Sequence, residues 1–384
     1  LSAGRDDGAY DVAIVGAGIA GASAAYFLAP HARIAILERE SQPGYHTTGR
    51  SAALYSETYG NASVRSLTRA SRAFYHAPPA GFAAQPLLTP RGVVFFGRAE
   101  HRAALEAQAD ELRATGGRVE WLAPDEILAR IPALRPEWAA VGLAEPDAED
   151  IDVHALLSGF LHGARAAGAK LISDAALEAA EFDNRRWRLT TRAGEIRADV
   201  LVNAAGPWAD EVARLAGAAP LGLAPLRRTA VVFECRQFPN TAGWPAAVDA
   251  IEDLYFRPEA GRMLASPADE TPSPPCDAQP EELDIATLIE RLQQATTFEI
   301  ARITARWAGL RTFAPDRSLV AGFDPARRGF FWLAGQGGYG IQTAPAMGQL
   351  VASRITNKPL PTALVDAGVD PAALDPARFS LRTR

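Results

Sequence analysis

The sequence predicts an α/β fold: a Rossmann-type half around a parallel sheet, interrupted by an inserted α+β half built on an antiparallel sheet. Three observations lead there. Near the start, "YDVAIVGAGIAGASAAYFLA" passes from a β-branched run through Gly16, Gly18 and Gly21, spaced GxGxxG, into good helix formers, and "ARIAILERE" follows as a second buried strand ending on an acid. Near the end, "FFWLAGQGGYGIQTAPAMG" (330–348) repeats a strand, a glycine turn and a helix. Between them, "KLISDAALEAAEFDNRRWRLTTRAGEIRADVLVNAAG" reads as short alternating strands returning to an apolar one, Val200–Ala204, and Leu221–Pro267 is strand-rich.

The remaining elements follow in order. Residues 61–76 place Val64, Leu67, Ala70 and Phe74 on one helical face, and residues 101–115 and 124–131 also read as helices. "SPADETPSPPCDAQP" is a Pro-rich loop leading into a helix over Glu281–Gln294, with Pro280 at its first turn and acids after it, as the helix dipole favours. The nucleotide-binding elements lie at both ends and in the middle of the chain. The expected division is therefore 8–83, 149–217 and 311–384 for the Rossmann-type half, and 84–148 with 218–310 for the inserted half.

Composition narrows the function classes. The 384 residues are 48% hydrophobic and 22% charged with a net charge of -6, an ordinary globular balance with no basic run to favour nucleic acid. The two cysteines, Cys235 and Cys276, have no metal-ligand spacing, so no metal site is expected and a reducing cytoplasm is the easier home. Residues 10–29 form the one long apolar run, but its glycines, small residues and Asp11 suit a strand–turn–helix better than a membrane span. The expected location is cytoplasmic, free or peripheral at the inner face of the membrane, without an integral segment.

The first glycine cluster has a definite chemistry. A dinucleotide pyrophosphate needs backbone N–H donors at a helix N-terminus and a chain bare enough to approach closely. Gly16 makes the turn, Gly18 admits the phosphates, Gly21 lets the helix pack on the strand, and Ala17, Ile19 and Ala20 complete the loop. Glu38 stands 22 residues after Gly16, where a carboxylate accepts from the adenosine ribose. That acid disfavours NADP but does not separate NAD from FAD.

Four further segments do: "GYHTTGRSAALYSETYG" (44–60), "VLVNAAGPWAD" (200–210), "RWAGLRTF" (306–313) and "GQGGYGIQT" (335–343). With these the chain resembles the D-amino acid oxidase superfamily of FAD-dependent oxidoreductases, most nearly its D-arginine dehydrogenase-like branch, over nearly its whole length. The resemblance implies a glutathione-reductase-like flavoprotein fold with FAD extended along the first half. Adenosine would meet Glu38 and Arg39, with the backbone near Ala176 facing the adenine. Pyrophosphate and ribityl chain would meet Ala20 and the loop Thr47, Thr48, Gly49, Arg50, Ser51, Ala52, Ala53 and Leu54. In the other matching segments Ala205, Gly206, Trp208, Gly309, Gly337, Gly338, Tyr339, Gly340, Ile341 and Gln342 would line the cofactor. Flavinylated relatives carry a cysteine near "LRTF"; this chain has none there, so non-covalent FAD is implied.

The same resemblance implies the substrate site. Arg311 matches the arginine that grips the substrate carboxylate with its guanidinium fork; Arg228, read from its place at the start of a strand and not from the resemblance, is a candidate helper. Tyr255 and Tyr59 match tyrosines that cover the substrate or bond its carboxylate, Tyr59 on a mobile lid; Gln342 and the Gly338 carbonyl would face the amine. No histidine or carboxylate stands out as an obligatory base. The implied reaction is hydride transfer from the α carbon of a D-amino acid to flavin N5, giving an imino acid that hydrolyses to a 2-oxo acid and ammonia. A quinone, another carrier or O2 would then reoxidise the flavin. Leu54 stands where the basic-substrate branch has a histidine, and "LLTPRGVVFFG" is short where that branch carries a glutamate. A neutral, apolar or broad side-chain preference follows, because an unpaired buried cation is disfavoured. Two alternatives keep the fold: oxidation of N-methyl amino acids or 2-hydroxy acids, and a non-catalytic flavin-binding sensor or subunit.

The second GxGxxG, at Gly335, Gly337 and Gly340, lacks the other half of a nucleotide fingerprint. The residues after it, "TNKPLPTALV", hold no buried strand ending in an acid. Its expected use is to bring bare backbone, and the positive end of a helix starting near Gln342, up to the flavin ring.

Overall fold

The computed structural model describes residues 9–114 and 116–380. The opening β-α-β unit is Tyr10–Val15, Ile19–Leu28 and Ile34–Leu37. Tyr10–Val15 pairs in parallel with Ile34–Leu37 on one side and with Gly194–Asn203 on the other, which in turn pairs in parallel with Phe330–Ala334. Val12, Ala13 and Ile14 are fully buried. A strand covered on both faces reads as an unbroken apolar run instead of an alternating one, and "VAIV" does. Antiparallel strands extend this eight-stranded sheet: Leu177–Phe182 and Trp187–Thr191 beyond Gly194–Asn203, and Val320–Phe323 against Phe330–Ala334.

Helix Ile19–Leu28 packs on helix Ala344–Thr356, and two glycines permit the close approach. A Cβ at Gly21 would stand 1.9 Å from the Gly16 carbonyl oxygen, and one at Gly348 would stand 2.7 Å from that of Ser23. Helix Ala62–His76 is capped by Asn61, whose side chain accepts from the Val64 N–H at 3.1 Å, and it buries Val64, Leu67 and Ala70 as expected.

A nine-stranded sheet forms the second layer system. Its longest strands, Ala224–Glu234 and Arg302–Phe313, run antiparallel over their whole length. It is not purely antiparallel: Ala246–Asp249 lies parallel to Val93–Gly97. These two strands come from chain segments far apart in the sequence, so no hairpin fixes their direction. Helix Glu282–Ala295 covers this sheet with Ile285, Leu288, Leu292 and Ala295, a 3.6-period stripe. Glu281 is its N-cap, so Pro280 precedes the cap and is not in the first turn. The Pro-rich stretch contributes a short strand, Thr271–Pro272, paired with Leu226 and Arg227. Among the described residues no helix is long and apolar enough to cross a membrane.

Candidate active site

The first glycine turn opens a cavity of about 390 Å³ that reaches from the β-α-β unit to the nine-stranded sheet. Gly16 sits at φ +104, and a Cβ there would lie 2.4 Å from the Ala204 carbonyl oxygen; only glycine makes this turn. The Ala17 N–H donates to Glu38 Oε2 at 2.9 Å and the Glu40 N–H to Oε1 at 3.0 Å. Glu38 thus holds the turn and lines the cavity, and each of its oxygens has capacity for a further donor. The Thr48 hydroxyl accepts from the Ile19 N–H at 3.0 Å and so caps the helix that the cofactor would meet.

Beside Glu38 lies an aromatic platform. The Arg39 guanidinium sits 4.4 Å over the Trp208 ring, and the His46 ring is 4.7 Å from the same indole. His46 Nε2 is 2.9 Å from Glu40 Oε1. The loop after it is tied across to the second sheet: the Thr47 hydroxyl donates to the Leu310 carbonyl at 2.7 Å, and the Trp307 indole N–H to that of Arg50 at 3.0 Å. Arg50 donates to the carbonyls of Ala278 and Ala308 and pairs with Asp277. Its charge is engaged in joining segments, and its stem lines the cavity.

Arg228, Tyr255 and Arg311 line the other end of the same cavity. Arg311 stands on Arg302–Phe313, and Arg228 on the neighbouring Ala224–Glu234. An Arg311 N–H donates to the Tyr59 phenol at 3.4 Å, and among the described residues no carboxylate pairs with Arg311. A Cβ at Gly338 would lie 3.0 Å from Arg311 Nη1 and 3.2 Å from Tyr59 Oη, so bare backbone lies against both groups. Arg228 is partly committed: its Nε donates to the Asp269 carbonyl at 2.8 Å and its Nη2 lies 3.3 Å from Glu270, a carboxylate that Arg317 approaches to 2.8 Å. Burial and the neighbouring Arg311 charge lower the pKa of Arg228. The acids on the cavity wall, Glu38, Glu178 and Glu211, belong to segments near the β-α-β turn and residues 175–212, and none belongs to the strands that carry Arg228, Tyr255 and Arg311.

Most of the expected residues meet at this cavity: Gly16, Gly18, Ile19, Ala20, Glu38, Arg39, Thr47, Thr48, Arg50, Ser51, Ala52, Ala53, Ala176, Ala205, Gly206, Trp208, Gly309, Gly337, Gly338, Gly340 and Ile341. Ala17, Gly21, Gly49, Leu54, Tyr59, Tyr339 and Gln342 are not on its wall. Gly21 serves helix packing, and Leu54 pairs with Asp150 in a small sheet. Tyr59 and Tyr339 pack edge to face at 5.0 Å, with Tyr59 38% exposed and its phenol against Arg311. Gln342 differs from the expectation in its surroundings: it is buried, its Nε2 donates to the Thr68 hydroxyl at 2.9 Å, and it does not line this cavity. The helix expected near Gln342 begins at Ala344. Gly335 and Gly337 have φ of +67 and +52, and residues 337–343 form successive turns in which the Tyr339 N–H bonds to the Gln336 carbonyl at 2.9 Å. These turns precede the first helical residue.

The sequence reading missed three polar groups on the wall. His46 Nδ1, Thr312 Oγ1 and Gln336 Nε2 are buried without a hydrogen-bond partner. Each stands inside a segment already singled out, "GYHTTG", "LRTF" or "GQGG", and Thr312 follows Arg311 directly. Buried polar atoms are normally satisfied, so these three await acceptors and donors from a polar ligand. Together with the glycine turn and the Glu38 carboxylate, they fit an extended nucleotide cofactor.

Comparison with known proteins agrees. The family model described as "DAO: FAD dependent oxidoreductase" matches residues 11–354. The chain belongs to the DAO family of FAD-dependent oxidoreductases. Among curated DAO-family relatives, glycine oxidase of Geobacillus kaustophilus (strain HTA426) is 28% identical over 364 residues, covering 91% of this chain and 93% of its own length. The crystal structure of glycine oxidase from Geobacillus kaustophilus superposes with TM-score 0.79 at 25% identity, over 91% of this chain and 95% of that one. L-alpha-glycerophosphate oxidase from Mycoplasma pneumoniae, with FAD bound, has TM-score 0.82 over 92% and 96% of the two chains; at 17% identity it speaks for the fold alone.

Proposed function

We propose that this DAO-family enzyme oxidises small D-amino acids or glycine to imino acids, which hydrolyse to 2-oxo acids and ammonia. The observation that carries the reading is Arg311: a guanidinium with no carboxylate partner among the described residues, on the wall of the cavity that begins at the glycine turn. FAD, when bound, supplies the two-electron acceptor for the hydride leaving the substrate Cα.

The protein's share is orientation and charge. Arg311 grips the substrate carboxylate in fork geometry, the Tyr59 phenol bonds the same carboxylate from above, and Tyr255 closes the side of the site. Arg228 adds positive potential, its own hydrogen bonds keeping it in place. Of the two groups expected at the amine, the Gly338 carbonyl accepts from it and the Gln342 side chain does not. No acid or histidine lines this end of the cavity, and the nearby Glu270 is engaged by Arg228 and Arg317, so the amine is oxidised from its neutral form, without a dedicated side-chain base. Two cations, with the nearby Asp269 held by Thr229 and Glu270 held by Arg228 and Arg317, disfavour a basic side chain, which supports neutral substrates. Neither cysteine lines the cavity, which speaks against a cysteinyl link to FAD. The same unpaired cysteines support a cytoplasmic setting, and the electron acceptor is O2 or a diffusible or membrane carrier such as a quinone.

A panel of glycine, D-alanine, D-phenylalanine, D-arginine, N-methylglycine and lactate tests this reading by kcat/KM. Glycine or a neutral D-amino acid leads the panel, and D-arginine comes last. Highest kcat/KM with D-arginine contradicts the charge argument, and highest with N-methylglycine or lactate replaces a primary amine by the alternative substrate.

A further inference from the structure

Glu145 ends the strand Val141–Glu145 inside the nine-stranded sheet, opposite Val93, and is 4% exposed. Among the described residues no cation pairs with it. Its partners are two buried hydroxyls on the segment that leads into Tyr59. Ser56 Oγ lies 2.9 Å from both carboxyl oxygens, and Thr58 Oγ1 lies 2.6 Å from Oε2. Ser56 and Thr58 are themselves 3.0 Å apart.

Counting hydrogens settles how such a ring closes. The contacts carboxyl to Ser56, Ser56 to Thr58, and Thr58 to carboxyl need three hydrogens, and the two hydroxyls own two. A protonated Glu145 supplies the third: its O–H donates to Ser56 Oγ, Ser56 donates to Thr58 Oγ1, and Thr58 donates to Oε2. Ionised, the carboxylate keeps two of the three bonds and a buried charge without a counterion. Burial raises the pKa of this acid to about 7, against the lowering effect of the two hydroxyls. The other charged groups around it are Glu57, held by the Tyr55 phenol at 2.7 Å and Arg72 at 3.4 Å, Asp147, held by Arg118 at 3.4 Å, with Glu120 beside Arg118 at 2.7 Å, and two cations that line a second cavity with Glu145: Arg91, paired with Asp150 at 2.7 Å, and Arg130. Both nearby acids, Glu57 and Asp147, raise it further.

The ring lies one residue from Tyr59, whose phenol meets Arg311, and Gly60 at φ +90 turns the chain immediately after. The geometry points to Glu145 as a positioning residue that, through Ser56 and Thr58, holds the Tyr59 phenol over the Arg311 guanidinium. The inference rests on the reading of Arg311 and Tyr59 as the carboxylate site. Glu145 touches neither substrate nor cofactor; it sets where a contacting side chain stands.

The test uses the FAD-loaded full chain and acetate, a bare carboxylate, titrated by its effect on flavin absorbance from about pH 6 to about pH 8.5. Glu145→Leu weakens acetate roughly fivefold or more, as does the pair Ser56→Ala with Thr58→Val, which leaves the strand untouched and decides the matter if Glu145→Leu does not fold. Glu145→Gln, a neutral group that still donates and accepts, stays within about twofold of the native chain and abolishes the loss of affinity that the native chain shows above about pH 7. In a Tyr59→Phe background, Glu145→Leu adds less than about twofold, because the phenol it positions is gone. Full multiplication of the two losses overturns the inference, as does native affinity in both folded variants that lack the ring. An Arg311→Met chain that binds acetate as tightly as the native one overturns the site reading and this inference with it. Loss of binding in Arg311→Met beside native binding in Glu145→Leu overturns the inference alone.

Discussion

Replacing Arg311 by methionine removes the guanidinium while keeping most of the stem volume. Its N–H groups meet the Tyr59 phenol at 3.4 Å and no protein carboxylate, so its charge is free for a ligand. A hydrogen bond to a charged group contributes about 1.5–3 kcal/mol, and a bidentate carboxylate pair makes two. Losing both leaves the substrate carboxylate unpaired in a partly buried site, about 3–5 kcal/mol in all. At 1.36 kcal/mol per factor of ten, kcat/KM for glycine or D-alanine falls roughly 10²- to 10⁴-fold. Folding stability is unaffected or rises, because the variant breaks no internal ion pair. Arg228→Met falls by about tenfold, since the Asp269 carbonyl and Glu270 already hold that side chain. The assay is steady-state kcat/KM on flavin-loaded protein, with Tm measured alongside. A loss below about tenfold in Arg311→Met, or a larger loss in Arg228→Met, refutes the assignment.

Gly21→Ala places a Cβ 1.9 Å from the Gly16 carbonyl oxygen, so the protein purifies with little flavin and a lowered Tm, read by absorbance and calorimetry. Gln342→Leu deletes a buried hydrogen bond to Thr68 without touching the cavity wall: stability falls by about 1–2 kcal/mol in denaturant unfolding, while kcat/KM of the folded enzyme stays within about threefold. Burial raises Glu145 and Asp249 to about 7, Asp249 with its neighbour Asp253 adding to the effect. Across pH 4.5 to about 7 the unfolded chain has released these protons and the folded chain retains them, so stability decreases as pH rises through this window and levels off above it. Glu145→Gln removes its share of that slope in Tm against pH.

The nucleotide-binding core was legible because one physical requirement shaped each piece of it. A strand buried on both faces must be apolar throughout, a turn at φ +104 must be glycine, and a helix packed on that turn must lack a Cβ at Gly21. The carboxylate-gripping end was legible through the resemblance at "RWAGLRTF" and not through periodicity, since an arginine on a strand is ordinarily a surface residue. The surroundings of Gln342 were not legible because side-chain direction in residues 337–343 depends on how far the chain bends at Gly335 and Gly337. The motif permits those positive φ values but does not set the direction that follows. The parallel pairing of Ala246–Asp249 with Val93–Gly97 was hidden for another reason: local pattern marks strands, while tertiary packing chooses partners for segments so distant in the chain. Unsatisfied atoms such as Thr312 Oγ1 and Gln336 Nε2 are properties of a folded cavity and have no sequence signature beyond their neighbours.

The most direct test of the central claim, that the glycine turn and Arg311 belong to one cofactor–substrate site, is anaerobic mixing of the FAD-loaded chain with glycine or D-alanine, followed by its visible absorbance. The native chain loses its oxidised-flavin bands and recovers them when an electron acceptor is admitted, whereas Arg311→Met binds FAD and keeps its bands at the same amino acid concentration. A native chain that holds FAD yet is bleached by no amino, N-methylamino or hydroxy acid contradicts the account and leaves a flavin-binding protein without turnover.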